Sequence, residues 1–102
     1  MTSHHQPSRQ MRESLVTAEQ LLEQAASVVR GRRHTYGHPC ELFERVARRW
    51  SQVLGITVTP AQVILCLIDL KVARLAHDPG HPDSITDIAG YAGCLAEVLS
   101  DP

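Results

Sequence analysis

An all-α fold is the expectation from three features of the 102-residue sequence: apolar residues recurring at helical spacing, helix caps at the starts of those runs, and no stretch of alternating apolar and polar residues. The arrangement expected is a four-helix bundle in a single domain over residues 17–102, preceded by a flexible tail over 1–16 that is rich in Ser, Gln and His and has no apolar period. The first helix should begin after Thr17. Thr17-x-x-Gln20 has the spacing of a capping box, and Leu22, Ala25, Ala26 and Val29 come at i, i+3, i+4 and i+7. Gly31 is the expected stop, so the prediction is a helix over 18–30 and a loop over Arg32–His38. Pro39 suits a first helical position, and Phe43, Val46, Ala47, Trp50 and Leu54 form one stripe of a second helix over 39–54 that ends at Gly55. Thr59-Pro60 opens a third helix that runs to about Ala76, before the breaker His77-Asp78-Pro79-Gly80-His81-Pro82. A fourth begins near Asp83 and places Ile85, Ile88, Ala92, Leu95 and Leu99 on one face.

Composition narrows the function classes. Ten Lys+Arg against eleven Asp+Glu give a net charge of −1, too weak a field to hold duplex DNA across a face, so small anions remain as charged partners. No apolar run approaches the roughly 20 residues of a membrane span, and Met1–Ser14 has no hydrophobic segment of the secretory type, so the expected location is the cytoplasm. Cys40, Cys66 and Cys94 are odd in number and widely spaced, which reads as reduced thiols serving as small hydrophobes. The four His of the connecting segments, His34, His38, His77 and His81, show no metal-ligand spacing. A chain this short buries only roughly 60–65% of its unfolded surface, so a homo-oligomer, from dimer to hexamer, is expected.

The third helix carries the most informative pattern. Projected at about 100° per residue, Lys71 falls within the arc of Ile64, Leu67, Ile68 and Leu75, with Arg74 at its flank. A cation on an apolar face needs an anionic partner, because stripping water from a lone charge costs several kcal/mol. Two partners are open. Asp83 and Asp87, four residues apart and succeeded by Tyr91, could form an internal ion network with Lys71 and Arg74; a ligand phosphate could instead meet both cations. Arg32-Arg33-His34-Thr35-Tyr36-Gly37-His38-Pro39 adds a second cationic cluster just before a helix N-terminus, where free N–H groups favour an anion and Tyr36 could stack on a base. Glu41 and Glu44, one turn apart, could join Asp83 and Asp87 around Mg²⁺, though Arg45 and Arg48 four residues later give them ordinary salt-bridge partners. Gly90-x-x-Gly93 exposes backbone for close packing against the third helix or a second subunit. No Ser/His/Asp or Cys/His nucleophile arrangement stands out.

Over about residues 30–98, Tyr36-Gly37, Lys71-x-x-Arg74 and Asp83-Ser84-Ile85-x-Asp87-x-x-Gly90-Tyr91 resemble a family of small phage and prophage proteins of unassigned function, themselves similar to all-α nucleoside triphosphate pyrophosphohydrolases of the MazG type. The resemblance implies a helical bundle that oligomerises, with a nucleotide site between helices. MazG-type enzymes hold Mg²⁺ through ExxE on one helix and ExxD on the next. Here Lys71 and Arg74 occupy the ExxE spacing, the ExxD spacing reads Ser84-x-x-Asp87 with an acid displaced to Asp83, and Glu41-x-x-Glu44 lies one helix too early. Cations cannot hold Mg²⁺ but can neutralise a phosphate, so the departures imply a binder without cofactor and without hydrolysis. Arg33, Tyr36, His38, Lys71 and Arg74 would contact phosphate and base, with Asp83, Asp87 and Tyr91 orienting them. In a phage setting, in the host cytoplasm, such a binder would sequester a small nucleotide such as a cyclic immune messenger, acting as a sponge. The alternatives are a Mg²⁺-dependent (d)NTP pyrophosphohydrolase using Glu41, Glu44, Asp83 and Asp87, and a helical interaction module in which every one of these charges is structural.

Overall fold

The computed structural model describes residues 16–100, and every regular element among them is a helix. These are α1 (Ala18–Tyr36), α2 (Pro39–Leu54), α3 (Pro60–His77) and α4 (Ser84–Ser100). Apart from the exposed Val16, the tail expected over 1–16 lies outside the described residues.

Both capping boxes are formed by the same chemistry: the Thr17 hydroxyl accepts from Gln20 N–H while the Gln20 side chain accepts from Thr17 N–H, and Thr59 and Gln62 repeat the exchange. α2 has the bounds predicted for it and ends on Gly55, whose left-handed φ of 71° closes the helix through its N–H to Ser51 O. The loop to α3 is pinned by Ser51, whose hydroxyl accepts from Val58 N–H at 2.8 Å and donates to Ala47 O at 2.7 Å.

The first helix departs from expectation. α1 does not stop at Gly31 but continues to Tyr36, so Arg32–Thr35 are helical rather than looped. A single interior Gly costs only about 1 kcal/mol against Ala, too little by itself to end a helix. The stop falls instead at Gly37, where φ is 85° and the N–H reaches Arg33 O. Only Gly37 and His38 then separate α1 from α2.

α4 is the hub. It packs against each of the other three helices, whereas α1 and α3 share no contact among the described residues. The core sits on one side of it, where Phe43 and Ala47 of α2 meet Val63 and Ile64 of α3, with Trp50, Leu67, Tyr91 and Leu95 around them. Each large apolar side chain buried there contributes about 1.5–3 kcal/mol. On α4 the packed face is rotated from the predicted one: Ile88, Leu95 and Val98 are half-buried, while Ile85 (50% exposed), Ala92 and Leu99 (69%) face outward. The rotation comes from contact on three sides, which turns the acid-bearing Asp87, Tyr91, Cys94 face inward. Gly90 lies against α1, 3.6 Å from Val29 for a Cβ built there, and Gly93 has open space, so the pair does not serve close packing on α3.

Candidate functional site

A cleft opens where α1, α2 and α4 converge. Its floor is apolar, from Val28, Pro39, Leu42 and Phe43, and its rim carries Arg32, Arg33 and Tyr36 from the last turns of α1. Thr86, Asp87, Tyr91 and Cys94 line the α4 side, and the cavity volume is about 60 Å³, the rest of the cleft lying open to solvent. Continuation of α1 through Gly31 is what places the two arginines there, since helical spacing stacks Val28, Arg32 and Tyr36 along one face.

Four of the residues singled out in the sequence, Arg33, Tyr36, Asp87 and Tyr91, therefore line one cleft. Lys71 stands behind it, its Nζ 3.2 Å from Asp87 Oδ2, with side chains 14% and 21% exposed. Of the two partners left open for Lys71, the Asp87 carboxylate is thus the one in contact with it, and the pair fixes that carboxylate. Arg74 does not share it. Arg74 is exposed, three residues on and rotated off the packed arc of α3. Asp83 is also exposed, in a left-handed conformation with φ of 69°, and its carbonyl accepts from Asp87 N–H at 2.7 Å, which starts α4. Among the described residues Glu41, Glu44, Asp83 and Asp87 do not assemble as a carboxylate group: Glu44 pairs with Arg48 across one turn at 3.5 Å and Asp87 is held by Lys71. The donor set for Mg²⁺ is not gathered.

Sequence reasoning missed Glu97. Arg33 pairs with its Oε1, and His38 Nε2 lies 3.4 Å from its Oε2, so this one carboxylate ties the end of α1 and the start of α2 to α4. The available signal was that Glu97 is the lone charged residue between Asp87 and Asp101. His38 has a second task, as N-cap of α2: its Nδ1 accepts from Cys40 N–H at 3.1 Å. Cys94, on the cleft wall, has its thiol pushed above the usual 9.0 by burial first and then by the Glu97 charge, with Arg33 and Arg32 pulling the other way. None of the described cysteines is in a disulfide. A second polar knot, His81 Nδ1 at 2.7 Å from Ser84 Oγ, sits at the start of α4, with Ser84 fully buried and closed to any substrate.

A family described as a domain of unknown function, DUF6378, matches residues 20–99, which takes in the cleft and all but the first residues of α1 and the last of α4. The chain belongs to the DUF6378 family. It is 37% identical over 86 residues to the Gene 55 protein of Mycobacterium phage D29 and 38% identical over 80 residues to that of Mycobacterium phage L5. The matches cover 83% and 76% of this chain and 57% and 51% of the relatives, so the chain spans about half the length of the curated proteins it matches. The expected likeness to phage proteins of unassigned function thus stands, and no solved structure matches. Among the described residues no helix is long and apolar enough to cross a membrane.

Proposed function

We propose that the α1–α2–α4 cleft binds a small phosphorylated nucleotide without hydrolysing it. The observation that carries this reading is the convergence of two tyrosines, two arginines and one fixed carboxylate over an apolar floor. Aromatic faces accept a base by stacking, guanidinium groups take phosphate oxygens in pairs, and a carboxylate accepts hydrogen bonds from ribose or base. Tyr36 is exposed at the rim, where a flat ring can be covered by a base. Arg33 would exchange Glu97 for phosphate, and Arg32, beside it, brings a second charge. Lys71 holds the Asp87 carboxylate in place, acting through Asp87 from behind the cleft wall.

Absence of a gathered carboxylate set supports binding over Mg²⁺-dependent hydrolysis among the described residues. In the setting of the phage relatives, the reading extends to sequestration of a nucleotide messenger of host immunity. The uncharged outer face of α4, with Ile85 and Leu99 exposed, supports self-association into a homo-oligomer.

The test incubates the full chain with Mg²⁺ and a panel of nucleoside triphosphates, cyclic dinucleotides and cyclic ADP-ribose isomers, with mass spectrometry of the filtrate and then of the heat-denatured protein. Depletion of one intact compound that reappears on denaturation is expected, together with its loss in Tyr36→Ala and Arg33→Ala. Conversion to monophosphate and pyrophosphate would establish the hydrolase instead. An unchanged panel would leave a helical interaction module. Sedimentation of the same sample reads the subunit number.

A further inference from the structure

We propose that His38, Cys40 and Glu97 form a binding site for Zn²⁺ at the junction of α2 and α4. One ligand atom from each, a ring nitrogen, the thiol sulfur and a carboxylate oxygen, lies within 4.8 Å of the other two. In a tetrahedral zinc site with bonds of about 2.0–2.3 Å, neighbouring ligand atoms stand about 3.3–3.7 Å apart. His38 Nε2 and Glu97 Oε2 are already at 3.4 Å. The donor set, one nitrogen, one sulfur and one oxygen, suits a borderline-soft cation and is a poor one for Mg²⁺.

The surroundings orient these atoms as second partners do in metal sites. Arg33 engages Oε1 of Glu97, which leaves Oε2 turned toward His38. His38 and Cys40 bracket the first residue of α2, Pro39, which is buried and fixes the backbone between them. Their spacing of two residues escapes the usual zinc signatures, and the third ligand is supplied 57 positions after Cys40 by a different helix, so no linear pattern marks the set. Three protein ligands leave one tetrahedral position for water.

Uptake has a defined proton balance. In the metal-free protein His38 Nδ1 accepts from Cys40 N–H, so the ring proton sits on Nε2 and faces Glu97. Zn²⁺ takes the Nε2 lone pair, the ring proton moves to Nδ1, the Cys40 thiol gives its proton to solvent, and the carboxylate binds as it is. The cap bond from Cys40 N–H is given up in exchange. A single N-cap is a small term beside a thiolate–zinc bond. The inference rests on these three residues and not on nucleotide binding.

The experiment uses the full chain, reduced and stripped of metal, with His4 and His5 changed to Ala to remove the histidine pair outside the described residues. Co²⁺ is the optical probe, and Zn²⁺ affinity is read by competition with a chelating dye. The expected result is one equivalent bound, a thiolate-to-cobalt charge-transfer band with tetrahedral visible bands, and Zn²⁺ affinity weakened about a hundredfold or more in Cys40→Ser, His38→Ser and Glu97→Gln. Ser at position 38 keeps a capping hydroxyl, and circular dichroism confirms that α2 persists. Cys66→Ser should bind as the parent does, because Cys66 is exposed on α3, away from this junction. A thiolate band that survives Cys40→Ser, cobalt bound without any thiolate band, or no binding at micromolar metal would each overturn the proposal.

Discussion

At the α2–α3 seam Phe43, Ala47, Val63 and Ile64 are all buried, and the polar contact that ties the loop there is the Ser51 bridge to Val58. Along α1 Ala25 alone is buried, Leu22 is 60% exposed, and the helix meets α4 where Val29 lies beside Gly90 and through an arginine–glutamate pair at its far end. The difference teaches where stability and chemistry reside in a domain of this size. The seam commits its apolar residues to closure, and only Phe43 also reaches the floor of the cleft. The α1 flank, with fewer fully buried apolar residues, leaves a cleft whose rim can be charged.

The comparison breaks if the two regions respond alike to truncation. Ile64→Ala should cost about 2–5 kcal/mol, because it removes packed atoms from a fully buried site, whereas Leu22→Ala should stay within about 0.5 kcal/mol. Urea unfolding monitored by circular dichroism measures both, and equal losses would mean that α1 is as much core as the seam. The next largest effect belongs to the ion pair between α3 and α4. Lys71→Ala should cost about 1–3 kcal/mol, less than for a fully buried pair because both side chains keep some solvent, and Lys71→Met with Asp87→Leu should recover most of it. A double variant as weak as the single would show that the carboxylate has further partners worth keeping.

The smallest effect sharpens the contrast on α4. Because the folded state holds the Cys94 proton more tightly than the unfolded chain, its contribution is present in full below the unfolded thiol's 9.0 and is lost as pH rises through the higher folded value. Stability at a fixed urea concentration should therefore fall above pH 9, and Cys94→Ala should flatten that fall. In the native protein at neutral pH, alkylation should modify the exposed Cys66 ahead of Cys94. Equal rates would place Cys94 in open solvent.

Much of the architecture was legible because it is encoded locally. Thr17, Thr59 and Gly55 terminate helices by bonds to residues three or four positions away, and the sequence shows both ends of each bond. Gly31 misled because a glycine ends a helix only where the residues after it cannot continue one. Gly37, with Pro39 two residues beyond it, was the stronger terminator, and the polar run between Gly31 and Gly37 carries no apolar period to mark it as helical. The candidate site was legible in half. Lys71 and Asp87 could be paired because an apolar arc makes a cation conspicuous, while Arg74, at the edge of that arc, looked equivalent and is exposed. The contacts of Glu97 and Cys40 were not legible, because they come from helices that meet only in the folded chain, and the isolation of Glu97 in an uncharged stretch was the one signal.

The dependence of α1 on α4 sets a delay in synthesis. Arg33 and Glu97 are 64 residues apart, and α1 touches nothing of α3 in between. At roughly 5–20 residues per second, a ribosome needs roughly 3–13 s to deliver the partner after the arginine has been added. For that interval the Ala25 and Val29 side of α1 has no docking surface beyond the start of α2, so the nascent chain carries its cleft as an unassembled half until α4 has been made.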